Sequence, residues 1–210
     1  MQLSIFLTYS LPAVVLLPLL AVAPNSSRWV RAQMATGLAA ALALISWLVL
    51  ISTGAPQSSL GWFNPSILNV TMLVLISFIA WIVLSYAKTN FESDSDNQRF
   101  LRWFLLTVCA VMVTVTSNHL LVFWLGWVAI SLSMHQLLMF FPNRNRAALA
   151  AHKKFIFARL AELCLAVAFG LLYSQHSTFF ITDILDEVSN SPLSFVHQVA
   201  AFLIALAALI

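Results

Sequence analysis

Charge is scarce in this sequence. Asp, Glu, Lys and Arg make up 8% of its 210 residues, against about 25% in an ordinary soluble domain. With 61% hydrophobic residues and a mean hydropathy of +0.94, the composition excludes a soluble globular fold. Alternating apolar segments of about ten residues are also missing, which excludes a transmembrane barrel. There is no phosphate-cradling glycine loop, no nucleophile elbow and no cluster of metal ligands. The chain itself therefore points to no catalytic chemistry and to no cofactor of its own. The two cysteines, Cys109 and Cys164, both fall inside apolar runs, as packing thiols that say little about redox compartment. No Lys or Arg precedes the first apolar run, which argues against a cleaved signal peptide.

What is present is a series of long apolar runs, each near the roughly 18 to 20 residues that a helix needs to cross a bilayer. The expectation is an all-α, polytopic transmembrane helix bundle of about seven helices. The spans fall at about 3–23, 35–53, 66–86, 100–116, 119–141, 153–173 and 195–210. Pro12 and Pro18 lie in the first and are read as kinks. Trp62 and Phe63, in a turn-rich connector, suit a membrane interface, and Arg102 and Trp103 suit a headgroup anchor. A short amphipathic helix is expected around Thr182 to Val188. The last run covers about 16 residues, or roughly 24 Å of helix, short of the approximately 30 Å hydrocarbon core. That suggests the N-terminal part of a longer membrane protein.

The net charge of +3 follows the loops and is not a nucleic-acid signal. Basic residues fall in alternate loops: Arg28 and Arg31; Lys88, Arg99 and Arg102; Arg144, Arg146, Lys153 and Lys154. The loop after the sixth run instead carries Asp183, Asp186 and Glu187. By the positive-inside rule, the N-terminus is outside and the basic loops are cytoplasmic. Arg144 and Arg146, in a short basic hairpin, are then candidates for docking a cytoplasmic partner or are topology signals alone.

Only Arg159 breaks this alternation, and it stands with Glu162 inside the sixth run. A charge within a span costs at least a few kcal/mol and is a functional hypothesis by default. Three residues apart, the two share a helix face and can pair. Glu162 lies about 13 Å deeper than Lys153, near mid-membrane. Burial pushes a carboxylate towards its neutral form and a guanidinium beside it towards its charged form. A carboxylate held between the two can take and release a proton as its partner moves. His135, in the fifth run at a depth similar to that of Arg159, is a candidate for the same polar cluster. The plainer alternatives are an Arg–Glu structural clamp, a hydrogen-bonded packing histidine, and Lys153 and Lys154 as interfacial anchors. Gly126, Ser131 and Ser133 read as small residues that allow close helix packing, and His119 and His197 as interface residues.

The stretch LGWVAISLSMHQLLMFF, followed after the hairpin by HKKFIFARLAE, resembles the antiporter-like, proton-conducting membrane subunits of respiratory complex I and of multi-subunit cation/proton antiporters. In that family the fifth span carries Leu-Gly-Trp-Glu, and the sixth a Lys, then an Arg and an acid. Lys153 and Arg159 match, and Glu162 stands at the acid. The glutamate expected after Leu125-Gly126-Trp127 is Val128 here, which cannot titrate. His135, seven residues on, lies two turns along the same face. This altered pattern resembles the membrane subunits of the bacterial two-component inorganic-carbon-accumulating (DAB) complexes.

That resemblance implies a proton- or sodium-translocating subunit in the bacterial inner membrane, with an ion path through Glu162, Arg159, Lys153 and His135. It also implies a cytoplasmic, zinc-containing, carbonic-anhydrase-like partner that hydrates CO2 to bicarbonate. The rivals are a complex I or antiporter subunit, against which Val128 argues, and a non-conducting membrane scaffold that only docks a soluble enzyme.

Overall fold

In hydrocarbon every backbone N–H and C=O must be satisfied inside its own segment, so isolated apolar runs of this length close into helices. The computed structural model describes residues 13–18, 28–53, 61–91, 97–140, 145–190, 192 and 194–210. The helices are α1 (residues 13–18), α2 (Arg28–Thr53), α3 (Ile67–Phe91), α4 (Asn97–Thr116), α5 (Leu120–Leu138), α6 (Asn145–His176), α7 (Ile181–Asn190) and α8 (Phe195–Leu209). Among the described residues there is no strand beyond two isolated bridges, Phe63–Ser117 and His119–Phe180. The chain is an all-α membrane bundle. Among the described residues five helices are long and apolar enough to cross a membrane: Trp29–Thr53, Ile67–Thr89, Gln98–Thr116, Leu120–Leu138 and Ala148–His176. Most of the run expected at 3–23 lies outside the described residues. Within its helical part, Val14 and Val15 are buried against α2, α3 and α4.

Several boundaries differ from the sequence expectation, α2 for one beginning at Arg28 and not near 35, and two of them bear on the site. Helix α5 stops at Leu138, not near 141; Met139 leaves helical geometry, with its N–H on His135 O. Pro142 lies just beyond, and a proline disfavours the helical conformation in the residue before it. Helix α6 begins at Asn145, eight residues ahead of the expected Lys153. The intervening Ala147, Ala148, Leu149, Ala150 and Ala151 are among the strongest helix formers. Most of the expected hairpin is therefore the first two turns of α6.

Consecutive helices run antiparallel. Gln33 Nε2 donates to Ser85 Oγ at one end of the α2–α3 pair (2.9 Å), and Trp47 Nε1 to Thr71 Oγ1 towards the other (2.9 Å). Leu84 of α3 meets Leu101 and Leu105 of α4 in a buried cluster. Thr107 of α4 donates to Ser133 of α5 (2.9 Å). Gly126 brings α5 close to α4: a Cβ there would stand 2.3 Å from Thr114 Oγ1. Ala161, Leu165 and Ala168 of α6 pack with Ala200 and Ala207 of α8. Small residues at these contacts are what permits close approach where water supplies no driving force between spans.

The alternation gathers the described lysines and arginines other than Arg159 at one end of the bundle, here called the basic end. The opposite, acidic end holds α7 and is knitted by Asn118, which is 1% exposed. Its side chain donates to Gly61 O (3.0 Å) and Thr182 Oγ1 (3.1 Å) and accepts from Thr182 N (3.2 Å). Its backbone bonds Trp62 O and Ile181 N, both at 2.8 Å. One asparagine thus fastens the start of α3, the α4–α5 junction and α7 together.

Candidate functional site

Glu162 sits halfway along the Ala148–His176 span and is 5% exposed. Helical side chains lean towards the helix N-terminus, so its carboxylate points to the basic end. There Arg159 Nη2 donates to Glu162 Oε1 at 2.7 Å. The Ser131 hydroxyl of α5 donates to the same oxygen at 2.6 Å and itself accepts from Arg159 Nη2. Guanidinium, hydroxyl and carboxylate therefore close a three-membered ring across the α5–α6 contact. On the other side of Glu162, Trp124 Nε1 donates to its backbone carbonyl at 3.0 Å. A buried carboxylate without such donors would cost far more than these bonds return, so the ring fixes the register of the two helices.

Arg159 is only partly enclosed. Its guanidinium lies over the Phe155 ring at 4.8 Å, and its side chain is 34% exposed. Its Nε is buried, with no hydrogen-bond partner among the described residues. Phe155 also faces His135, with ring centroids 4.7 Å apart, and His152 lies 5.6 Å from His135.

The expected residues separate into two levels. Glu162 and Arg159 are joined. His135 is not at their depth: α5 ends early, so His135 falls in its last turn, level with His152 and Phe155. No bond links His135 to Glu162; Ser131, one turn deeper, occupies that place. A cavity of about 10 Å3, lined by Ser131, His135, Ala151, Lys154, Phe155 and Ala158, lies between the levels. That volume accommodates roughly one water molecule. The His135 Nδ1 atom is buried, and no partner reaches it among the described residues. Lys153 is exposed and apart from this cavity, whose lysine is Lys154. Arg146 is exposed on the first turn of α6, and Arg144 lies outside the described residues.

Sequence reasoning assigned Ser131 to packing, together with Ser133. Ser133 does bond its own helix, to Ala129 O at 2.7 Å. Ser131 instead completes the ion pair. The available signal was register: Ser131 stands four residues before His135, on the face already assigned to the site. Among the described residues no group of three or more His, Cys, Asp or Glu side chains is arranged to hold a metal ion.

Residues 117–210 match the family model described as NADH:quinone oxidoreductase/Mrp antiporter, transmembrane. A probable inorganic carbon transporter subunit DabB from Hydrogenovibrio crunogenus is 48% identical over 151 residues, covering 71% of this chain and 29% of that protein. The corresponding DabB2 of Halothiobacillus neapolitanus is 31% identical over 182 residues, 81% of this chain and 33% of that one. Subunit L of the Escherichia coli NADH-quinone oxidoreductase is 25% identical over 119 residues, 57% of this chain and 19% of its own length. The chain thus spans between a fifth and a third of the length of these curated relatives. A chain in the structure of the membrane-bound sulfane sulfur reductase, an archaeal respiratory membrane complex, superimposes with a TM-score of 0.75. At 16% identity, covering 98% of this chain and 43% of that one, it shares the fold.

Proposed function

Since the chain belongs to the antiporter-like membrane subunits of the complex I and Mrp type, we propose that it forms part of an ion-translocating subunit for inorganic carbon accumulation. The ion is a proton or sodium, and the transport energises a cytoplasmic, zinc-containing, carbonic-anhydrase-like partner. The observation that carries the ion path is a buried carboxylate at the centre of a span, with its guanidinium and hydroxyl partners drawn from two helices. In this reading Glu162 is the group that loads and unloads, and Arg159 is its ion-pair partner. A water in the small cavity, bonded to His135 and Ser131, carries protons between the basic end and Glu162. Lys153 and Lys154 set the field at that mouth.

The subunit is read as lying in the bacterial inner membrane, with the basic end in the cytoplasm and the N-terminus periplasmic. Eight of the nine described Lys and Arg residues belong to the segments at that end, Arg159 being the ninth, and such asymmetry sets orientation during insertion. Arg146 then faces the partner, and Arg144, outside the described residues, is read from the sequence alone as part of the same docking segment. A respiratory complex subunit is the second reading, favoured by the similarity to subunit L and weakened by Val128 at the position of the family glutamate.

Glu162→Gln tests the assignment, because it keeps shape and hydrogen bonding but removes titration. Bicarbonate uptake in cells carrying the whole complex should fall to background while the soluble partner still copurifies. Full uptake by an assembled Glu162→Gln complex would leave the pair a structural clamp and favour the scaffold reading. A partner bearing flavin and iron–sulfur clusters, in place of zinc, would favour the respiratory one.

A further inference from the structure

At the acidic end, about 21 Å along α6 from Glu162 at 1.5 Å per residue, two histidines meet edge to edge. His176, the last residue of α6, and His197, in the first turn of α8, have their Nε2 atoms 2.9 Å apart. His176 Nδ1 lies 2.7 Å from Glu187 Oε2 of α7. His197 Nδ1 accepts from the backbone N–H of Ser194 at 3.0 Å, as one half of the capping box that starts α8. The chemistry at the two ends of this chain fixes every proton in it. A carboxylate only accepts, so His176 carries its proton on Nδ1. A backbone N–H only donates, so His197 Nδ1 is bare and its proton is on Nε2. That proton donates to the bare Nε2 of His176. With both rings neutral all three contacts are satisfied, and each imidazole is held in a single tautomer.

We propose that this pair is a proton-binding site that takes up one proton from the aqueous phase at the acidic end, and that its loading breaks the Ser194 N–H half of the N-terminal cap of α8. The incoming proton binds His197 Nδ1 and breaks the bond from Ser194 N–H. The Nε2 proton of His197 passes to His176 Nε2, so the N–H···N contact persists with its direction reversed. His176 becomes the imidazolium, its Nδ1–H still on the Glu187 carboxylate. His197 is neutral again, with its new Nδ1–H directed to Ser194 Oγ 3.0 Å away, a hydroxyl that goes on donating to Gln175 Oε1. One proton is gained, the Ser194 backbone N–H loses its acceptor, and the Ser194 hydroxyl oxygen gains the His197 Nδ1–H.

Acidic side chains lie around the pair. Glu187 touches His176, Asp183 and Asp186 stand on the same helix α7, and the sequence holds no Lys or Arg after Arg159. The neighbouring titratable groups Tyr173 and His119 both stack on the Phe179 ring. The His176 side chain is 4% exposed, so its proton arrives through its bonded neighbours. Because α8 packs on Ala161, Leu165 and Ala168 of α6, loosening its first turn acts on the helix that bears Arg159 and Glu162. The site itself stands independently of whether Glu162 titrates.

Nitrogen-15 NMR of the imidazoles and amide hydrogen exchange, on the whole chain in lipid nanodiscs, test this. Between pH 8 and pH 5.5 the two rings should titrate together with uptake of one proton. Over the same interval the exchange rate of the Ser194 amide, corrected for its intrinsic pH dependence, should rise at least tenfold. Glu187→Gln, a change at an exposed side chain, should cut that rise by a factor of three or more. Independent protonation of both rings, an unchanged Ser194 amide, or a Glu187→Gln profile identical to the parent's would each overturn the proposal.

Discussion

In α2, α3 and α4 the hydroxyls of Thr36, Ser46, Ser77, Thr114 and Thr116 turn back onto carbonyls of their own helix four residues earlier, at 2.8 to 2.9 Å. In α5 the Ser131 hydroxyl leaves its helix and reaches Glu162 of α6 at 2.6 Å. Both regions are built of apolar spans, and both use small hydroxyl residues. The difference lies in what stands opposite. A serine or threonine in a span can always satisfy itself locally, so a hydroxyl alone says little about function. The Ser131 bond answers a demand that α6 alone does not meet, that of a buried carboxylate. The crossing bonds of Gln33, Trp47 and Thr107 instead reach hydroxyls already bonded to their own helices. The first half of the bundle is a frame packed through small residues; the second half is organised around one charge.

The largest effect expected from breaking this contrast is functional. Glu162→Gln should abolish coupled transport and spare assembly. Arg159→Ala, by contrast, leaves a buried carboxylate without its cation and should lower the amount of assembled complex recovered as well. Comparing uptake per assembled complex for the two variants separates titration from folding. If both lost assembly equally and neither altered uptake per complex, the charge would belong to the frame.

Next comes the contact that joins the two regions. Gly126→Ala would place a methyl 2.3 Å from Thr114 Oγ1, a hydroxyl held on Ala110 O at 2.8 Å. Overpacking of this kind costs about 1–3 kcal/mol. Thr114→Ala in the same chain removes the obstructing oxygen, so the double variant should recover most of the loss. Unfolding in mixed detergent micelles measures all three. Additive losses would mean that Gly126 is not what lets α4 and α5 approach.

Much of this was legible in the sequence, for reasons that differ by feature. The spans follow from the length and apolarity of the runs, because a bilayer enforces helices. The Arg159–Glu162 pair follows from the i, i+3 spacing and from its isolation among apolar residues. The depth of His135 was misjudged because the end of α5 is a local event, set by Pro142 and by an alanine-rich start to α6. Ser131 was missed because spacing along one helix does not reveal which residue of the next stands opposite. The His176–His197–Glu187 contact was hidden for the same reason. It joins residues 11 and 21 positions apart across a turn, α7 and the cap of α8.

Ser131→Ala sharpens the contrast further. It removes a donor to a buried carboxylate and an acceptor for Arg159, while leaving the ion pair itself in place. Hydrogen bonds to charged groups contribute about 1.5–3 kcal/mol in water-soluble proteins, and interhelical bonds in membranes average nearer 0.6. A loss of about 1–2 kcal/mol is expected. The same variant should slow uptake several-fold, because the hydroxyl also links the small cavity to Glu162. Normal uptake with reduced stability would restrict Ser131 to holding the register.

The smallest effect belongs to Ser77→Ala, and it is the control on which the contrast depends. Ser77 is fully buried in α3, as enclosed as any residue near the ion pair. On burial alone its hydroxyl should matter as much as that of Ser131. Its bonds run to Leu73 O at 2.8 Å and Val74 O at 3.0 Å, both carbonyls of its own helix. Helical geometry gives each of those carbonyls a backbone N–H as well, from residues 77 and 78, so deleting the hydroxyl orphans neither. The alanine methyl occupies the space of the serine Cβ and leaves at most a one-atom void. Bonds back to a helix's own carbonyls are close to neutral, and the expected change in stability is within about 0.5 kcal/mol. Thr36→Val, which replaces a self-bonded hydroxyl by a methyl of the same shape, should be equally silent. Should Ser77→Ala destabilise the bundle as much as Ser131→Ala in the same micelle assay, burial and not the crossing bond would set the cost. Ser131 would then lose its claim to belong to the site.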